Sequence, residues 1–247
     1  MNNHFAVGII PARYGSERLP GKPMADINGK TMITRVVEQA EKAGKLDLVI
    51  VATDDERIAE HLQGSGKRVV MTDRSIKTGT DRCFAALEGI DCTIAVNIQG
   101  DEPLLDPLTI DALIEELSVD TDAVCATPVI KISEVNDAGD PSVVKAVFDK
   151  KGYALYFSRS QIPFPRYSKP FYYRHQGIYA YRYDFLKKFV RFEMSELEIT
   201  ESLEQLRILE NGYKIKCVKT ESFSQGVDTE SDLEEVRNII ISKEGLR

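Results

Sequence analysis

Cysteine and histidine are scarce in this chain, and where they fall excludes whole classes of site. The four cysteines (Cys83, Cys92, Cys125, Cys217) are scattered, with no close pair and no histidine beside them. Neither a zinc ribbon nor a redox CxxC can be built from them, and buried thiols are expected. With Gly 16 and Pro 10, the chain is also too poor in both residues for a collagen-like or low-complexity polymer. No window reaches the roughly 18 apolar residues of a membrane span. The start, Met1-Asn2-Asn3-His4-Phe5, has no basic segment leading into an apolar stretch, so a cytoplasmic protein without membrane insertion is expected. Cationic residues are in deficit too: 32 Lys and Arg against 39 Asp and Glu give a net charge of −7. A general nucleic-acid partner is therefore not expected, because that role needs a basic face to displace counterions from phosphates.

What is present is an ordinary globular composition, 43% hydrophobic and 29% charged over 247 residues. At about 150 residues per domain this is one large domain or one with a small appendage. Short β-branched runs alternate with amphipathic segments through the first half, the pattern of βαβ units and a largely parallel sheet. Strands are expected at Phe5 to Pro11, Leu48 to Thr53, Arg68 to Thr72, Thr93 to Gln99 and Ala123 to Ile130. Helices are expected at Met32 to Ala43, after Asp54 or Asp55 to Leu62, from about Thr80 to Leu87, and from Leu108 to Leu117. Right-handed crossovers would place them on both faces of the sheet.

After about Asp140 three extended runs follow, at Val143 to Phe148, Ala154 to Ser158 and Gly177 to Tyr181, around a proline- and aromatic-rich stretch from Ile162 to Arg174. Prolines disfavour central-strand pairing and clustered aromatics mark contact surfaces, so an excursion at about 150–182 that serves dimerisation is expected. The plainer alternative is an exposed loop packing its aromatics locally. Helices at Tyr183 to Val190 and Glu196 to Leu209, a strand at Lys214 to Val218 and a helix from Glu230 to about Ile241 complete one domain spanning 1–247.

Charge is unevenly distributed. From Arg13 to Arg35 five basic residues face two acidic ones, while from Glu193 onward 13 acidic residues outnumber 7 basic. The basic stretch contains the first strand-to-helix connection, IPARYGSERLPGKP, from Ile10 to Pro23. A glycine-containing loop at that place offers backbone N–H groups to phosphates at the switch point of an open α/β sheet. Neither G-x-G-x-x-G nor GxxxxGK[ST] spacing is present, which weakens dinucleotide and P-loop readings. What remains is a loop carrying Arg13, Arg18 and Lys22 toward a small anion, with a solvated basic loop as the alternative.

This loop resembles the N-terminal signature of the cytidylyltransferases that activate 3-deoxy-D-manno-octulosonate (Kdo). The resemblance recurs in order at Val51-Ala52-Thr53-Asp54, Thr78-Gly79-Thr80-Asp81-Arg82, Asn97-Ile98-Gln99-Gly100-Asp101-Glu102-Pro103 and Ala154-Leu155-Tyr156-Phe157-Ser158-Arg159. It continues at Arg174-His175-Gln176-Gly177-Ile178-Tyr179, Leu203-Glu204-Gln205-Leu206-Arg207 and Gly226-Val227-Asp228-Thr229, making eight blocks across nearly the whole chain. It implies a GT-A-like (nucleotide-diphospho-sugar transferase) α/β fold, mostly parallel, in a homodimer. The implied reaction joins CTP and Kdo to give CMP-Kdo and pyrophosphate with Mg²⁺, on the route to lipopolysaccharide.

Carried over residue by residue, the resemblance implies that Arg13 and Lys22 hold the triphosphate, that Ala12 and Ser16 belong to the same nucleotide-binding set, and that Arg13, Lys22 and Asp101 are catalytic. Thr78, Gly79 and Arg82 would read cytosine, with Gln99 beside the ribose. Asp101 and Asp228, each opening a loop at the sheet's carboxyl edge, would hold Mg²⁺, an ion that commonly uses one or two protein carboxylates. The plainer alternatives are capping roles: Asp101 in a turn before Pro103, Asp228 at the last helix, Thr80 and Asp81 at the helix after Gly79. Arg159, His175, Tyr179, Glu204 and Gln205 would form the sugar-acid pocket, His175 as a hydrogen-bonding group rather than a base. Gln176, where leucine or isoleucine is frequent, and the Glu196 to Ser202 segment, where some relatives place a histidine, depart from the family pattern. They leave an 8-amino form of Kdo as an alternative acceptor. The sialic acid cytidylyltransferases and an inactive nucleotide-binding homologue are the other rivals; LPGKP and LEQLR weigh against the first, and the full Arg13, Lys22, Asp101, Asp228 set against the second.

Overall fold

The computed structural model describes residues 6–15, 19–133, 135–167, 171–222 and 224–244, with the side chains of 135 and 136 outside that set. Ser16, Arg18 and Phe5, all expected to matter above, lie outside the described residues. In chain order the elements are β1 (Ala6–Ala12), a 3-10 turn (Lys22–Met24), β2 (Asp26–Ile27), β3 (Lys30–Thr31), α1 (Met32–Ala40), β4 (Leu48–Thr53), α2 (Glu56–Gly64) and β5 (Val69–Met71). Next come α3 (Gly79–Ala85), β6 (Ile94–Asn97), α4 (Pro107–Val119), β7 (Ala123–Lys131), α5 (Val135–Gly139), β8 (Lys145–Phe148), β9 (Ala154–Ser158), β10 (Tyr173–His175) and β11 (Tyr179–Arg182). The chain ends with α6 (Tyr183–Phe189), α7 (Glu196–Glu201), α8 (Leu206–Glu210), β12 (Lys214–Thr220) and α9 (Glu230–Glu244). No helix among the described residues is long and apolar enough to cross a membrane.

Internal contacts gather the chain into two units, 1–111 with 223–247, and 112–222. In the first unit β5, β4, β1 and β6 lie side by side, all parallel, with Val7 opposite Leu48, Ala6 opposite Ile94 and Val51 opposite Val69. β1 is central and buried along nearly its whole length, which is why it reads as an unbroken apolar run rather than an alternating one. Side-chain caps set the helix starts: Thr31 accepts from the Thr34 amide, Asp55 from that of Arg57 and Thr78 from that of Asp81. Each cap satisfies a backbone donor that the helix itself cannot.

A second core cluster in this unit explains how distant segments meet. Ile27, Met32, Val227, Leu233, Val236 and Ile240 are buried together, with Leu19, Ala25 and Leu104 packed against them. Burying each such side chain is worth roughly 1.5–3 kcal/mol. The cluster thereby fastens α9, the segment around Lys22 and the loop after β6 to one another. The β2–β3 hairpin that supplies Ile27 was not expected, although Asn28 and Gly29, at φ 50° and 78°, form the Asn-Gly pair that two-residue hairpins favour.

In the second unit the nine-residue β7 is the organising strand. It pairs antiparallel with β10 and β11 and parallel with β12, and β10 continues antiparallel to β8 and β8 to β9. β10 therefore takes a place between two strands from inside the aromatic-rich stretch. The single helix expected from Glu196 to Leu209 is instead two, α7 and α8. The capping box of Ser195 and Glu198 starts α7, and Ser202 at φ 53° ends it, because a left-handed residue cannot continue a right-handed helix.

Candidate active site

The carboxyl ends of β1 and β6 converge in the first unit, and the approach is close enough to dictate sequence. A Cβ at Gly100 would sit 2.8 Å from the Pro11 carbonyl oxygen, so any larger residue would push these two strand ends apart. Pro11, Ala12, Arg13, Gly15, Lys22, Gln99 and Asp101 line a cleft of about 210 Å³ here, with Pro23, Met32 and Gly100. Gly21, at φ 71° and packed under the Tyr14 ring, turns the chain into the 3-10 turn that carries Lys22.

Lys22 is buried, and its Nζ donates to Asp101 Oδ2 at 2.6 Å and to Asp228 Oδ1 at 3.0 Å. Two carboxylates 127 positions apart in sequence thus share one ammonium. Backbone pairing fixes their approach, since the Val227 amide donates to the Asp101 carbonyl at 2.9 Å. Thr229 caps α9, its Oγ1 accepting from the Asp232 amide, and the Asp232 carboxylate reaches back to accept from the Asp228 and Thr229 amides. Arg13 is half exposed, 3.9 Å from Asp54 and 3.4 Å from the Lys77 carbonyl, so its guanidinium is directed but not consumed.

The donor set fits a divalent cation of the Mg²⁺ type. Asp101 and Asp228 supply hard oxygens that already converge on a single cationic atom, and Mg²⁺ takes its remaining ligands from phosphates and water. Among the described residues no group of three or more His, Cys, Asp or Glu is arranged to hold a metal.

The Thr78 to Arg82 segment divides in role. Thr78 caps α3, and Gly79 stacks on Pro11 beside the cleft. Arg82 is fully buried, donating to Thr72 Oγ1, to the Ile76 carbonyl at 3.1 Å and to Asp54 Oδ2 at 3.2 Å. Its guanidinium organises the segment after β5. Asn97 Nδ2 donates to Thr80 Oγ1 at 3.4 Å, tying α3 to β6.

The residues expected for the sugar acid are all in the second unit. His175 Nε2 lies 2.9 Å from Thr127 Oγ1, whose hydroxyl also reaches the Ile178 carbonyl at 2.9 Å. A hydroxyl donates one proton; given to the carbonyl, it leaves Nε2 as the protonated nitrogen and Nδ1 as an acceptor. Burial beside Phe157 and Tyr179 pushes the His175 pKa down to about 3. Burial raises the Tyr179 pKa, and the nearby charges of Cys125 and Glu204 add to it. His175, Tyr179 and Glu204 thus form one neighbourhood, and Arg207 bonds Glu204 at 3.4 Å. Gln205 is buried with its Nε2 lacking a partner, as is Gln176 with its Oε1. Arg159 stands with a different neighbour: its Nε donates to the Glu201 carbonyl (2.8 Å), Nη1 to that of Pro141 (3.1 Å) and Nη2 to that of Ser202 (3.4 Å).

The cytidylyltransferase family model matches residues 7–215. A 3-deoxy-manno-octulosonate cytidylyltransferase of Chlorobaculum parvum is 49% identical, covering 96% of this chain and 98% of that protein. The chain belongs to the 3-deoxy-manno-octulosonate cytidylyltransferase family. The Arabidopsis thaliana member, named as mitochondrial, is 46% identical over 95% of this chain and 82% of its own. A solved structure of CMP:2-keto-3-deoxy-manno-octonic acid synthetase complexed with CTP superposes with a TM-score of 0.93 at 41% identity, covering 97% of this chain and 99% of that one.

In each unit, residues near those expected for the site carry no sequence signal of their own. Glu102, beside Asp101, is buried with Oε2 lacking a partner, and its pKa is raised to about 8 by burial first and by Asp101 second, with Ser224 opposing. The Glu201 carboxylate accepts from Ser158 Oγ at 2.6 Å and from the Arg159 amide at 3.0 Å. Arg207 forks onto Glu198 with bonds of 2.6 and 2.7 Å, both side chains buried. The capping box S-x-x-E at Ser195 could have announced Glu198; nothing in the sequence announces its burial.

Proposed function

We propose that the chain transfers the cytidylyl group of CTP to 3-deoxy-D-manno-octulosonate, releasing pyrophosphate and supplying CMP-Kdo for lipopolysaccharide biosynthesis. The observation that carries this reading is the cleft at the ends of β1 and β6, where Ala12, Arg13, Lys22, Gln99 and Asp101 meet. A triphosphate there finds a half-exposed guanidinium and an ammonium, the charges needed to stabilise a leaving pyrophosphate. Thr78 and Gly79 flank the same end of the sheet on the base side. Mg²⁺ held by Asp101 and Asp228 would supply Lewis-acid neutralisation of phosphate charge and lower the pKa of a bound hydroxyl.

On the acceptor side, Arg159 commits three N–H groups to carbonyls, so its fork is rigid, and the remaining donors suit a sugar-acid carboxylate. His175 stays neutral at physiological pH and so orients sugar hydroxyls instead of accepting their protons. With no covalent nucleophile required, the reaction is a single in-line displacement at the α-phosphorus.

We further propose a homodimer formed through the aromatic excursion, where Phe164, Tyr167 and Phe171 are exposed, and a cytoplasmic setting, consistent with four free cysteines. The decisive experiment measures pyrophosphate release from CTP with Kdo and with 8-amino-Kdo, in the wild type and in Asp101→Asn. Turnover is expected with Kdo, lower by orders of magnitude in the variant with the fold retained. Near-normal activity in Asp101→Asn would refute the metal assignment, and a preference for the amino sugar would move the acceptor.

A further inference from the structure

The Lys22 ammonium lies where two carboxylates converge, and the exposures of the three side chains differ in a telling way. Lys22 keeps 10% of its side chain exposed, against 32% for Asp101 and 49% for Asp228. The lysine thus reaches the pair from the protein side, while both carboxylates keep an open face. Bonds of 2.6 and 3.0 Å to Nζ mean that both carboxylates already share one cation.

We propose that Lys22 is an internal counter-cation that competes with a divalent metal for Asp101 and Asp228, and yields them when an anion draws its ammonium away. The inference rests on the metal role given above to the two carboxylates. With Lys22 in place the three groups sum to −1, and without it to −2. A divalent ion arriving alone must therefore displace or share with an ammonium that is already bonded to both ligands. An anion in the cleft changes the balance, because Lys22 lines that cleft together with Arg13 and its side chain has rotamers to spare. Phosphate oxygens that engage Nζ release the carboxylates, so occupation of the metal position follows or accompanies occupation of the anion position. The exchange is of ion pairs only, and no covalent bond changes.

The fold makes the lysine a gate with little freedom to drift. Gly21 at φ 71° and the Leu19 and Ala25 contacts with the second core cluster fix the turn that carries it. The carboxylates are held as firmly by the Val227 to Asp101 backbone bond and by the Asp232 bonds to residues 228 and 229.

The test uses Mn²⁺ alone, without nucleotide, titrated into the full chain while free Mn²⁺ is counted by electron paramagnetic resonance. Lys22→Met is expected to bind Mn²⁺ about tenfold more tightly than the wild type, the sign set by the removed positive charge and the size discounted for the exposed carboxylates. Its melting temperature should also rise more with added Mg²⁺ than that of the wild type. Equal or weaker Mn²⁺ binding in Lys22→Met, with binding lost in Asp101→Asn, overturns the gate and leaves the metal role standing. Binding that Asp101→Asn does not alter overturns both. A measurement on the wild type guards against misfolding of the variant: the ¹⁵N resonance of the Lys22 ammonium should shift on Mg²⁺ addition. No shift at concentrations that perturb the aspartate carboxyl carbons would overturn the proposal.

Discussion

Glu102→Gln should make the protein's stability less sensitive to pH, in a direction opposite to that of a salt-bridged acid. The Glu102 carboxyl is raised from 4.5 to about 8 because burial strips it of water and Asp101 repels its charge. In the unfolded chain it titrates near 4.5, so between these values the folded state holds a proton that the unfolded state has released. Stability from this group is fully present below the unfolded pKa and is lost as pH rises through the folded one. The slope is about 1.4 kcal/mol per pH unit, and about 5 kcal/mol over the whole window is an upper bound. Glutamine keeps the size and neutrality of the protonated acid but has no proton to lose. The variant should therefore gain on the wild type by about 3 kcal/mol between pH 5.5 and 7.5. Urea unfolding of both proteins with chelator present, at three pH values, measures this gap directly, and other titrating groups cancel in the difference. A gap constant to within about 0.5 kcal/mol, the usual limit of additivity, would refute a buried, protonated Glu102.

Three further outcomes test the rest of the site. Arg159→Ala should raise KM for the sugar acid by roughly 10- to 100-fold, the value of a charge-assisted contact of about 1.5–3 kcal/mol, with far less effect on CTP; equal loss for both substrates would refute the acceptor role. His175, depressed to about 3 by burial, should stay neutral from pH 5 to 8, and stability drawn from it should fall only as pH drops below the unfolded value of 6.5; an imidazole NMR titration centred near 6.5 would refute this. The excursion bearing Phe164, Tyr167 and Phe171, at 83%, 86% and 66% exposure, should give a light-scattering mass about twice 27.7 kDa. A clean monomer at micromolar concentration would count against it.

What the sequence discloses and what it conceals divide along a physical line. The strands of the first unit are legible because both faces of β1 and β4 are covered, and a buried parallel strand must be apolar throughout. Asp55 as a cap is legible because capping is local, and the hairpin at Asn28-Gly29 is equally local. The anion loop is legible from its charge alone, yet the meeting of Asp101 with Asp228 enters only through the family resemblance, since no periodicity relates residues 127 apart. Structure adds what burial decides. Arg82 looks like a ligand-binding cation in sequence and is fully buried, with bonds to Thr72, Ile76 and Asp54. Glu102 looks like a spacer before Pro103 and is buried beside Asp101, which with burial pushes its pKa up to about 8. The pair that matters most shows the same limit: Lys22 reads as one more positive charge for phosphate, and only the three-dimensional approach of β1, the loop after β6 and the start of α9 reveals that this charge is already bonded to two acids. A phosphate must therefore compete for Lys22 as well as bind it, so the affinity of the cleft for anions and the affinity of the carboxylates for metal are set by the same side chain.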